Sequence, residues 1–142
     1  MRYAYSAKVS RDSKGLTVTF RDVPEAITQV EPGQDFAVIA AYALASGLSF
    51  YVDDGRPLPR PSRLRAGERL VALPLLEAAK LALHEAIIEG RVSNVALARK
   101  LGISEGAVRR LKDVTHRSHI GQVEAALAAL GKRLTLATLE AA

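Results

Sequence analysis

The segment Asn94 Val95 Ala96 Leu97 Ala98 Arg99 Lys100 Leu101 Gly102 Ile103 Ser104 Glu105 Gly106 Ala107 Val108 Arg109 Arg110 leaves the chain little choice of local architecture. Ala98 is small enough for a second helix to cross close above it, and Gly102 can take the left-handed backbone that reverses a chain between two helices. Leu97, Leu101, Ile103, Val108 and Leu111 then fall on the buried sides of the pair. Ser104, Glu105, Gly106, Arg109, Arg110 and Asp113 fall on the far side of the second helix. The spacing predicts a helix-turn-helix whose second helix enters a DNA major groove.

An ordinary αα-hairpin shows similar Leu-Ala spacing, so the charge has to decide. Between Arg91 and His119 seven Lys or Arg stand against two acids, a local net of +5 that equals the +5 of the whole chain. A merely solvated face mixes its signs, whereas a surplus gathered on one hairpin suits phosphate binding. Arg109 and Arg110 are the candidates for base edges, because an arginine fork matches the two major-groove acceptors of guanine. Glu105 either accepts from a cytosine amino group or only steadies the helix N-terminus. Gly106 costs about 1 kcal/mol of helix propensity, which close approach to DNA would explain. Arg117, Ser118 and His119 are placed to face a phosphate at the start of the next helix, and Asn94, Ser104 and Lys112 complete the DNA-facing set.

Upstream the periodicity changes from helical to strand-like. Tyr3, Tyr5, Ala7 and Val9 alternate with polar or small residues from Met1 onward, as do Leu16, Val18 and Phe20, with Arg11 to Gly15 between them as a hairpin loop of five residues. Ala26–Val30 reads as a third strand and Gln34–Val52 as a helix with Phe36, Ile39, Ala40, Ala43, Leu44, Gly47, Leu48 and Tyr51 on its apolar stripe. The Arg56 Pro57 Leu58 Pro59 Arg60 Pro61 Ser62 passage is a stiff extended excursion, with a proline-rich recognition motif as the other reading. Arg69–Leu73 is expected to add a fourth strand and Leu75–Glu89 a helix ended by Gly90, with Glu77, Lys80, His84 and Glu85 facing mostly outward. Ser93 or Asn94 caps the next helix, Ser104 the recognition helix, and Ser118 a last helix running to Leu130, stopped by Gly131. Lys132–Leu139 alternates as a strand without a partner in its own chain. A second copy would supply one, making Leu134, Leu136 and Thr138 dimerisation candidates and the protein a homodimer or higher homo-oligomer. The fold class is therefore α+β, with residues 1–73 as a sheet-and-helix domain and 74–142 as a small all-α domain.

Several function classes are set aside by composition. There is no cysteine, hence no disulfide or thiolate metal site. His116 and His119 have metal-like spacing without a third ligand nearby, and neither a nucleophile elbow nor a glycine-rich phosphate loop occurs. No run is expected to reach the roughly 18 apolar residues of a membrane span, and the N-terminus has no apolar signal region. The expectation is a cytoplasmic protein with no cofactor and no membrane partner.

With this layout, the chain resembles the HicB family of antitoxins from type II toxin-antitoxin pairs. The resemblance is carried by Tyr3–Val9, Phe20 Arg21 Asp22 Val23 Pro24 Glu25 Ala26 Ile27 Thr28 Gln29, Ala41–Leu58, Ala79 Lys80 Leu81 Ala82 Leu83 His84 Glu85 Ala86, the hairpin, Val108–Asp113, His116–His119 and Ala125–Leu134. It implies a truncated ribonuclease-H-like first domain that binds a small basic HicA-type ribonuclease, with Tyr3, Tyr5, Phe20, Asp22, Pro24 and Glu25 as toxin-contact candidates. It also implies that the second domain represses the operon's promoter by holding double-stranded operator DNA. Where many members carry a glycine after the third strand and a Glu-Glu-Ala-Leu helix start, this chain has Val30 and Gln34 Asp35 Phe36 Ala37. Relatives of that fold that cleave RNA need clustered carboxylates for two metal ions. Asp12, Asp22, Asp53 and Asp54 all lie on predicted turns, so the chain is not expected to be an enzyme. A DNA-binding regulator with a ligand-sensing first domain is the competing reading.

Overall fold

A computed structural model describes residues 3–138 and 140. Strands β1 (Ala4–Asp12), β2 (Gly15–Phe20) and β3 (Ile27–Val30) precede helix α1 (Phe36–Asp53), and strand β4 (Arg69–Ala72) follows it. Helices α2 (Leu75–Gly90), α3 (Asn94–Leu101), α4 (Glu105–Lys112) and α5 (Ile120–Ala129) complete the α+β chain. The sheet order is β3-β2-β1-β4 with every neighbouring pair antiparallel. Met1 and Arg2, part of the strand-like pattern, and Leu139, the end of the expected last strand, lie outside the described residues.

The first hairpin is tighter than expected. Arg11 and Asp12 stay in register opposite Leu16 and Gly15, and the Asp12 carboxylate accepts from the Lys14 N–H at 2.8 Å, so two residues close the turn instead of five. Helix α1 begins at Phe36 because Asp35 is its N-cap, accepting from the N–H groups of Ala37 and Val38. Its inner side seats Ala40, Leu44 and Leu48 against Tyr5, Val18 and Phe20 of the sheet. Gly47 lets the helix come close: a Cβ there would lie 2.8 Å from that of Ala26.

Contrary to the composition-based expectation, α1 is long and apolar enough to cross a membrane by length and composition. Its inner residues belong to the sheet's hydrophobic core, so it is read as the core helix of this layer.

Two hydrophobic cores meet across α2. Leu81 packs into the sheet core, while Ala79, Leu83, Ala86 and Ile87 pack with α3, α4 and α5. Val114, just past α4, also enters the sheet core. Polar contacts cross the same junction: Tyr3 Oη donates to Glu85, and His84 Nε2 donates to the Arg56 carbonyl at 2.7 Å. Lys80 and His84, expected to face mostly outward, are in fact buried at 0% and 2% exposure. The outward expectation failed because α2 is covered on two sides, by the sheet domain and by α4 with its following loop.

Helix ends bring two further corrections. Gly90 is the last residue of α2, but the left-handed position that closes the helix falls on Arg91, at φ 50°. Ser118 does not cap α5; His119 holds that position without a side-chain hydrogen bond, and Ser118 Oγ accepts from Lys80 instead. Gly131, at φ 74°, follows α5 as anticipated. Residues 132–138 form no strand in the single chain. Leu134 leans on the helical core, Leu136 is 74% exposed and Thr138 is exposed.

Candidate nucleic-acid and partner interfaces

Helices α3 and α4 are eight residues each and are joined through Gly102, which adopts φ 65°, ψ 35° at the end of α3. Ser93 caps α3 by accepting from the Ala96 N–H at 3.1 Å, and Ser104 caps α4 by accepting from Ala107 at 3.0 Å. Between them Leu97, Ala98, Val108 and Leu111 are buried. Ile103, expected on the buried side, is 37% exposed because it lies in the turn and not within either helix. Glu105, Arg109 and Arg110 are exposed on α4, with Gly106 half-buried beside them. Neither Arg109 nor Arg110 has a carboxylate within salt-bridge distance among the described residues.

Of the other DNA-facing candidates, all but His119 are already engaged. Asn94 is the first residue of α3, and its side-chain oxygen accepts from Lys112 Nζ at 2.9 Å, clamping the start of α3 to the end of α4. Arg117 reaches Glu77 of α2 at 3.1 Å. Ser118 Oγ lies 3.1 Å from His116 Nδ1, and His119 is exposed at the α5 N-terminus.

The residue that organises this surface went unrecognised in the sequence. Lys80 sends its fully buried ammonium to the carbonyls of Arg110 (3.0 Å), Asp113 (2.7 Å) and His116 (2.6 Å) and to Ser118 Oγ (2.9 Å). It thus ties the end of α4 and the loop beyond it to α2, and its charge suits the negative end of the α4 dipole. Burial pushes this ammonium below the usual lysine range, opposed by the carboxylates of Asp113 and Glu77. Asp113 is held below the usual carboxylate range chiefly by the Thr115 hydroxyl that donates to it.

On the sheet domain, the six toxin-contact candidates divide sharply. Tyr5 and Phe20 are core residues, at 0% and 2% exposure, and Tyr5 Oη donates to the Pro59 carbonyl at 2.8 Å. Their inward side of β1 and β2 is covered by α1, so this pair offers no side-chain surface. Tyr3 is half-buried and hydrogen-bonded to Glu85, and burial raises both tyrosine hydroxyls above the ordinary range. Asp22 accepts from the Ser62 N–H at 2.8 Å. Only Pro24 and Glu25 are exposed, and Glu25 accepts from Tyr51 Oη of α1 at 2.8 Å.

A larger surface was missed: Val38, Tyr42 and Phe50 stand 63%, 76% and 56% exposed along the outer side of α1. They lie at four-residue multiples, one ridge of the kind that packs into a partner helix's groove. The signal was present in the sequence, because α1 carries no charged residue before Asp53. A helix that is apolar all round expects cover on every side.

Comparison with known proteins converges on one family. The family model for HicB-like antitoxins of bacterial toxin-antitoxin systems matches residues 3–82. The chain is 36% identical over 135 residues to Antitoxin HicB 2 of Photorhabdus laumondii subsp. laumondii, covering 95% of this chain and 96% of that protein. It is 33% identical over 136 residues to Antitoxin HicB of Escherichia coli strain K12, covering 96% and 98%. With Antitoxin HicB of Pseudomonas fluorescens it shares 35% identity over 144 residues, covering 99% and 96%.

Proposed function

The chain belongs to the family of HicB-like antitoxins of bacterial toxin-antitoxin systems, and on that footing we propose that it neutralises a small HicA-type mRNA-cleaving toxin and represses its own operon. In this reading residues 1–73, a truncated ribonuclease-H-like unit, bind the toxin, and residues 74–142 hold operator DNA through a helix-turn-helix. The work is done by binding in the cytoplasm, with no chemical step of its own.

The observation that carries the DNA half is α4 itself: a capped helix with Arg109 and Arg110 exposed and free of carboxylate partners among the described residues. A base-reading arginine must be free to present its fork to the two major-groove acceptors of guanine. For the toxin half, the outer ridge of α1 together with Pro24 and Glu25 provides an apolar surface with a polar margin, the make-up of a protein interface. A palindromic operator with half-sites one turn apart requires two recognition helices about 34 Å apart, and homodimerisation through Lys132–Leu139 would supply the second copy of α4.

The test is competition binding by the full chain between a duplex from its own promoter and a scrambled duplex. Arg109→Ala or Arg110→Ala is expected to erase the preference, a loss of roughly 1 to 3 kcal/mol of discrimination, while a co-purifying small basic protein stays bound. Equal losses on both duplexes would assign the two arginines to phosphates. No preference in the unsubstituted protein would end the repressor reading.

A further inference from the structure

Outside the α3–α4 surface, positive charge is gathered a second time, on the connection between α1 and β4. From Arg56 to Arg69 five arginines face a single acid, Glu68. A charge count over everything outside residues 91–119 sums to zero and hides this segment, because acids elsewhere balance it. Glu68 is itself consumed: Arg21 of the β2 end reaches it at 2.8 Å. Arg56 pairs with Asp54, and Arg69 stacks over the Phe36 ring. Arg60, Arg63 and Arg65 are left exposed, with no carboxylate within salt-bridge distance among the described residues.

The passage is nevertheless held firmly, and by its backbone. The Pro59 carbonyl accepts from Tyr5, the Ser62 N–H donates to Asp22, the Arg63 carbonyl accepts from Arg21 at 3.0 Å, and the Arg65 N–H donates to Glu68 at 2.8 Å. Leu58 is buried in the sheet core, and His84 of α2 holds the Arg56 carbonyl. None of these bonds uses the guanidinium of Arg60, Arg63 or Arg65. A backbone fixed at so many points presents its arginines without a large ordering cost on binding.

We propose that Arg60, Arg63 and Arg65 form a second nucleic-acid contact, on the sheet domain, that grips the phosphodiester backbone. Three arginines and no lysine suit phosphate, since the planar fork meets phosphate oxygens in pairs. The lone exposed apolar side chain among them, Leu64, is too small an area to anchor a protein partner. Such a contact adds affinity and salt dependence without sequence preference. It is independent of the reading of α4.

The experiment replaces Arg60, Arg63 and Arg65 together by Gln in the full chain and measures binding against salt on scrambled duplex DNA and on an RNA duplex of equal length. The same measurement is made in an Arg109→Ala, Arg110→Ala background, so failure of the α4 reading leaves this result interpretable. The melting temperature should be unchanged, because the loop's anchoring bonds are to backbone. Removing one arginine–phosphate interaction makes the dependence of log K on log salt shallower by about 0.9 on DNA, so a decrease of about 2 to 3 in slope is expected for three. A decrease on DNA alone or on RNA alone identifies which polymer supplies the phosphates. An unchanged slope on both overturns the proposal.

Discussion

Replacing Lys80 by Met keeps most of the side-chain volume and removes only the ammonium, which isolates what that charge does for α4. Three carbonyls, those of Arg110, Asp113 and His116, lose their shared donor, while Ser118 Oγ keeps His116 Nδ1. Each carbonyl keeps a second donor, Ser118 Oγ for Arg110, the His116 N–H for Asp113 and the Ser118 N–H for His116, so what is lost is one hydrogen bond to a charged group apiece. Such a bond contributes about 1.5 to 3 kcal/mol, so three set an upper bound near 9 kcal/mol. Two effects reduce that figure. Arg110, Asp113 and His116 are exposed residues whose carbonyls can recruit water once the lysine is gone. The substitution also relieves the burial of a charge, which is expensive in itself. A net destabilisation of about 3 kcal/mol follows, or a fall in melting temperature of roughly 6 to 12 °C at this chain length. Urea or thermal unfolding measures the total, and amide hydrogen exchange locates it: protection should fall most between Asp113 and Ser118.

The pH dependence supplies an independent sign. Because burial lowers the Lys80 pKa in the folded state, the unfolded chain binds more protons between that value and the usual lysine one. Lys80 therefore contributes a stability that rises with pH across this alkaline window, and the difference between the natural chain and Lys80→Met should grow in that direction. A Met variant as stable as the natural chain, with unchanged exchange in the 113–118 loop, would refute the claim that this ammonium holds the recognition surface in place.

Three further outcomes are expected. Arg91→Gly should stabilise the chain by roughly 0.5 to 1 kcal/mol, measured by denaturant midpoint, because glycine takes the left-handed φ of 50° without the clash that arginine's Cβ meets. Gly106→Ala has room, its new Cβ meeting nothing nearer than 3.6 Å, so helix propensity should raise stability by up to about 1 kcal/mol while affinity for the promoter duplex falls. If affinity holds, DNA does not press on α4 there. Truncation after Gly131 should convert dimers to monomers in light scattering and weaken promoter binding with every α4 residue intact; a truncated protein that stays dimeric and binds as before would move the contact elsewhere.

Elements set by neighbours in sequence were legible in advance. The cap at Ser104, the left-handed Gly102 and the alternation of β2 each depend on interactions spanning a few residues, and of the two cap candidates for α3 it is Ser93 that serves. The family resemblance was legible for the same reason, since motif and spacing are linear. The alternation expected of β1 fails over Ala4–Ala7, where this central strand is buried on both faces, Ser6 included. The failures lie where two distant segments meet. Lys80 and His84 read as outward on α2 because nothing local announces that the 113–118 loop and the Arg56 carbonyl will arrive above them. Tyr5 and Phe20 read as contact residues until α1 covered their side of the sheet. Arg60, Arg63 and Arg65 became a distinct charged surface only once Arg21 crossed from the end of β2 to take Glu68. Hydrogen bonds inside a turn or a helix end are written into adjacent residues, whereas burial and ion pairing depend on which surface the folded chain brings against a side chain from 30 or 40 positions away.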